Sequence, residues 1–136
     1  MSSSTRDRPP APAAPPPSLR VVVVVAVVEA VAIVVLSGWG VVQLVTGQQT
    51  AVGVVLFLVL FGLAVAATLV GSARALWEGR RTGRAPVATW QLLQGATALA
   101  VLQATSAPAA WAVLVLSVVV FVLLLTRPVV AYTVDR

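Results

Sequence analysis

Cysteine, histidine, lysine and asparagine are all absent from this 136-residue chain. Without cysteine there is no disulfide, no thiol nucleophile and no thiolate ligand for a metal. Without histidine the commonest general base and zinc ligand is gone as well. Charge is scarce too: 10% of the residues are charged, where soluble chains carry about a quarter, too little to cover a soluble domain of this length. Lysine and asparagine have AT-rich codons, while Ala, Val, Arg, Gly and Pro abound, so the composition fits a GC-rich genome.

What is present is apolar. Hydrophobic residues make up 60% of the chain, and the mean hydropathy is +1.02. The apolar runs are long enough to cross a bilayer, since a span needs about 20 mostly apolar residues at 1.5 Å each. The expected fold class is an all-α membrane protein: four transmembrane helices in an antiparallel up-down bundle, with both termini cytoplasmic. Its spans are placed at about residues 21–45, 51–70, 87–104 and 109–126. They form one domain over 19–127, between a Pro-rich disordered tail at 1–18 and a short cytoplasmic tail at 128–136.

The first span opens with VVVVVAVV. Valine favours strands, but a lone strand in lipid leaves its backbone unpaired, so a helix is expected. Its apolar run exceeds a signal peptide's, and no A-x-A-like site follows before Gln48, so no cleavage is expected. The third span is the least apolar, because it holds Gln91, Gln94 and Gln103. Pro86 suits its first turn, where a missing N–H costs little. Ser106 or Ala107 is expected to cap the fourth span, which Pro108 enters and Arg127-Pro128 stops.

All basic residues are arginine, nine in total, and the net charge is +5. In a soluble protein such a balance suggests nucleic acid. Here the arginines flank apolar spans, with no basic groove of interleaved aromatics, so no nucleic-acid partner is expected. They fall on the N-terminal tail, the loop between spans two and three, and the C-terminal tail. Those segments share one side if all four spans cross, and the positive-inside rule makes that side cytoplasmic. Trp39 and Trp111 then stand at the outer level, and Trp77 and Trp90 at the inner one, as an aromatic belt requires. The partner predicted first is the lipid bilayer of the cell membrane. Arg74, Arg80, Arg81 and Arg84 are candidate contacts for anionic lipid head groups, each worth about 1 kcal/mol near the surface.

One acid, Glu29, lies inside a span, about 13 Å beyond Arg20. Ionisable residues at such depth are expensive and point to function, and low dielectric disfavours their charged form. Gln91 and Gln94 share a face of span three at i, i+3 spacing. Gln94 is about 12 Å deep, Ser117 about 15 Å and Thr68 about 9 Å. Glu29, Gln91, Gln94, Ser117 and Thr68 therefore form a candidate polar layer to which each helix contributes. That layer acts either as interhelical glue, worth roughly 0.6–2 kcal/mol, or as a site of proton or transport chemistry. Two small-residue stripes, Ala96/Ala100/Ala104 and Gly62/Ala66, are candidate close contacts between helices.

The stretch GRRTGRAPVATWQLLQG, from Gly79 to Gly95, resembles the middle of a group of actinobacterial four-span membrane proteins. In that group an Arg-rich loop of the form G-R-R-x-x-R-x-P runs into a span beginning W-Q-L-L. Thr82-Gly83 stands where that group has a Trp-Ala-like pair. The resemblance implies the four-span architecture and no activity. A single glutamate in the first of four short spans is also similar to the small multidrug resistance transporters, which would make Glu29 a shared proton and cation site. Against that, QLLQGATALAVL lacks the glycine pattern of those transporters' third span, and their charge bias is weak where this chain's is strong.

The function expected first is a structural or accessory subunit of the cytoplasmic membrane, with a membrane-protein partner or a second copy. A small proton-coupled exporter using Glu29 is the alternative. No enzyme is expected, since Glu29, Ser117 and two glutamines without histidine supply no nucleophile–base pair. No cofactor or metal is expected either.

Overall fold

The computed structural model describes residues 14–48, 50–105 and 107–134. Of the tail expected at 1–18, residues up to 13 lie outside this set, as do Arg6, Arg8, Ser106 and Arg136. The described residues contain five α-helices and no strand: α1 Pro17–Val45, α2 Val52–Trp77, α3 Arg84–Ala104, α4 Pro108–Leu125 and α5 Arg127–Val134.

Local signals set the helix ends. Pro17 and Pro108 open α1 and α4 at their first turns, where proline's fixed φ suits the helix and its missing N–H is not needed. Glycines end α1 and α2. Gly47 has φ 68 and Gly79 has φ 77, left-handed values that only glycine adopts cheaply. At each, the next amide reaches back five residues: Gln48 N to Gln43 O at 3.2 Å, and Arg80 N to Ala75 O at 2.8 Å. These bonds satisfy carbonyls that a helix end otherwise leaves open.

After α2 a short 3-10 turn, Arg81–Gly83, leads into α3. A Cβ at Gly83 would collide with the Ser72 carbonyl and Leu76, so the turn sits directly on α2. At the end of α4 the break falls at Thr126, which is extended at ψ 143. Pro128 has no N–H to give the Leu124 carbonyl four residues back. Arg84 Nη2 donates to that oxygen instead, at 3.4 Å.

α1 packs along α2, and α3 along α4; the two hairpins meet through α1 with α4 and α2 with α3. The pairs run antiparallel, since Gly40 of α1 faces Val59 of α2 while Gly62 of α2 faces Ile33 and Ser37 of α1. The chain expected to trail away after Arg127 instead turns into α5. There Val129 and Thr133 are fully buried, and Tyr132 Oη donates to the Trp77 carbonyl at 3.2 Å.

Large side chains with no exposure gather at the arginine-bearing end, where Leu19, Leu76, Val87 and Val129 meet. Toward the opposite end the buried apolar residues are Val59, Ala98 and Ala110, each slightly exposed at 4–7%. Elsewhere the apolar side chains point outward, with Val28 at 61% exposure, Leu36 at 69% and Phe57 at 63%. A water-facing surface does not look like this.

Three helices, α1, α2 and α4, are long and apolar enough to cross a membrane. α3 is 21 residues long but is not among them, because its glutamines dilute the apolar run. The membrane class expected from composition is therefore carried by three helices.

Candidate functional site

The polar layer forms around Glu29, with one expected member missing. Glu29 lies halfway along α1 and is 8% exposed; Gln91 on α3 is 1% exposed and Ser117 on α4 is 2% exposed. Gln91 Nε2 donates to Glu29 Oε2 at 2.9 Å, a buried contact between residues 62 apart in the chain. The Gln94 amide and the Trp90 indole face the same carboxyl, with the indole nitrogen outside hydrogen-bond geometry. Residues 90 and 91 share one side of the helix with residue 94 by their four- and three-residue spacings to it. α3 thus turns three polar side chains toward a single acid on α1.

Ser117 approaches from α4. It lies beside Gly95, where an added Cβ would be 3.7 Å from the Ser117 Cβ, and it lines the α3–α4 groove together with Gln91. Thr68 does not join. It is exposed, its hydroxyl donates to its own helix at Ala64 O (2.9 Å), and it lines a groove between α2 and α3. Sequence depth placed Thr68 at a compatible level, but the face it occupies on α2 points away from Glu29.

Five buried polar atoms in the cluster have no hydrogen-bond partner: Glu29 Oε1, Gln91 Oε1, Gln94 Oε1, Trp90 Nε1 and Ser117 Oγ. Each such atom costs about 1–3 kcal/mol in an apolar interior. A proton on Glu29 Oε1 would make that oxygen a donor for a glutamine carbonyl. Chemically the arrangement can hold or exchange a proton. Among the described residues no three His, Cys, Asp or Glu side chains group as for a metal.

Two of the loop arginines converge on Glu78 and two do not. Arg74 Nε pairs with Glu78 Oε1 at 3.1 Å and Arg80 Nε with Glu78 Oε2 at 3.3 Å. Arg84 serves the end of α4, and Arg81 is exposed with no ion pair among the described residues. Of the two small-residue stripes, Gly62 and Ala66 face α1, where a Cβ on Gly62 would be 2.7 Å from Ser37 Oγ. Ala96, Ala100 and Ala104 are all exposed, and Ala96 lines the α3–α4 groove.

Sequence reasoning placed Trp90 at a membrane boundary and so missed it as a member of the cluster. Its adjacency to Gln91 and four-residue spacing to Gln94 were the available signal. Compared with protein-family models, curated proteins and solved structures, the chain matches none.

Proposed function

We propose that this protein is a structural or accessory subunit of the cytoplasmic membrane, a four-span bundle whose halves are pinned together by Glu29 and Gln91. The observation that carries this reading is their buried 2.9 Å hydrogen bond, which joins the α1–α2 hairpin to the α3–α4 hairpin. In lipid, helices gain nothing from hiding apolar surface from one another, so polar contacts and close packing decide how they associate.

α3 serves as the fourth span in this reading. Its 21 residues extend about 31 Å, the thickness of a hydrocarbon core. Its glutamines turn toward Glu29 rather than lipid at residues 91 and 94, which lowers the cost of their low hydropathy. The arginines at 20, 74, 80, 81, 84 and 127 sit at the ends of helices that meet at one level, and the turns at the opposite level carry no charge. That asymmetry supports cytoplasmic termini.

A second reading, a small proton-coupled exporter, is favoured by one observation: Glu29 Oε1 is buried without a partner. Against it, Glu29 does not line the α1–α2, α2–α3 or α3–α4 grooves described for the bundle's flanks. Glu29→Gln separates the two, because its side-chain oxygen still accepts from Gln91 but exchanges no proton. Cells expressing the wild type are exposed to cationic dyes. Resistance that Glu29→Gln abolishes in a normally folded protein favours export; sensitivity equal to that of cells without the protein favours the accessory role.

A further inference from the structure

One flank groove lies between α1 and α2. It has a volume of about 700 Å³ and is apolar along its length, with Arg74 at one end. Its floor is made by Ala30 and Ala66, which are 2% and 4% exposed. Small side chains on both helices leave it as an open trough, and Val31, Val35 and Val70 form part of its walls. From Leu63 to Arg74 the groove follows α2 for eleven residues, about 16 Å. That is close to half of a ~30 Å hydrocarbon core, the depth of one leaflet.

Arg74 stands three residues before the end of α2, at head-group level, and its side chain is 83% exposed. It holds Glu78 through Nε, and guanidinium has five N–H donors, so Nη groups stay available for a second anion. Glu78 is shared with Arg80, which leaves two guanidiniums against one carboxylate. The grooves between α2 and α3 and between α3 and α4 carry no charged side chain.

The geometry points to a seat for one anionic phospholipid: an acyl chain lies along α1 and α2, and its phosphate meets the guanidinium of Arg74. A chain one leaflet deep, apolar below and cationic at the mouth, matches a lipid of the arginine-side leaflet in length and in charge. The inference rests on the membrane reading but on neither the Glu29–Gln91 pin nor the number of spans.

The test uses the full-length protein in vesicles of phosphatidylcholine alone or mixed with phosphatidylglycerol, probed with spin-labelled forms of each lipid. Wild type is expected to restrict phosphatidylglycerol over phosphatidylcholine about fivefold, the share of one arginine at the surface. Arg74→Gln loses that preference and Arg81→Gln keeps it. Gly71 lines the groove, yet a Cβ added there would meet nothing within 4 Å. Gly71→Leu therefore fills the groove without disturbing the helices, and it reduces the restricted lipid. Gly53, equally free of neighbours but outside the groove, gives the matched control, Gly53→Leu. Equal restriction of both lipids by wild type, or a preference that survives Arg74→Gln, means ordinary lipid contact only and overturns the inference. Either result leaves the pin untouched, since neither Arg74 nor Gly71 contacts it.

Discussion

Gln91 donates its side-chain amide to Glu29 from the opposite hairpin, and both side chains are more than nine-tenths buried. Removing either partner strands the other. Glu29→Leu or Gln91→Leu is expected to lower unfolding stability in detergent by about 1–3 kcal/mol, while the two combined cost less than the single losses added. Denaturant titrations of the four proteins measure the coupling. Strict additivity would show that the bond does not hold the hairpins together.

Helix spacing on the other side of α1 depends on Gly62. Its missing Cβ leaves room for Ser37 and Ile33, which would otherwise lie 2.7 and 3.2 Å away. Gly62→Val is expected to force α1 and α2 apart at a cost of about 1–3 kcal/mol. Gly53→Ala meets nothing and is expected to be neutral or to stabilise by up to about 1 kcal/mol. Thermal unfolding of both variants checks the contrast.

Pro128 supplies the third expectation. Pro128→Ala restores an amide that is able to bond the Leu124 carbonyl, so α4 is expected to run on into α5 and release Arg84 from that oxygen. Hydrogen exchange at 126–130 then slows. Exchange as fast as in wild type would place the cause of the break elsewhere.

Span number has a direct test. With α3 crossing, a fluorescent protein fused after Arg136 folds and fluoresces in the cytoplasm, and a periplasm-dependent phosphatase at the same point stays inactive. The reverse pair of results removes α3 as a span.

Much of the fold was legible because hydropathy and punctuation act locally. The apolar runs, the proline entries at Pro108 and Pro86, and the turn at Gly47 all follow from neighbours in sequence. Helix faces were less legible. Depth alone grouped Thr68 with Glu29, but depth does not say which way a side chain turns around the axis. The same gap hid Trp90, whose indole suits both a membrane boundary and a polar interior. It also left Ala96, Ala100 and Ala104 looking like a contact stripe, although all three are exposed. α5 escaped because an exposed-looking PVVAYTV segment gives no sign that Val129 and Thr133 have a site waiting under the bundle.

The uneven packing of the bundle has a mechanical consequence. Bulky, fully enclosed side chains such as Leu19, Leu76 and Val87 lock one end, while Val59, Ala98 and Ala110 line the other, each slightly exposed. The charged end is therefore expected to be the last part of the bundle to open, with amides there exchanging more slowly than those at the uncharged end.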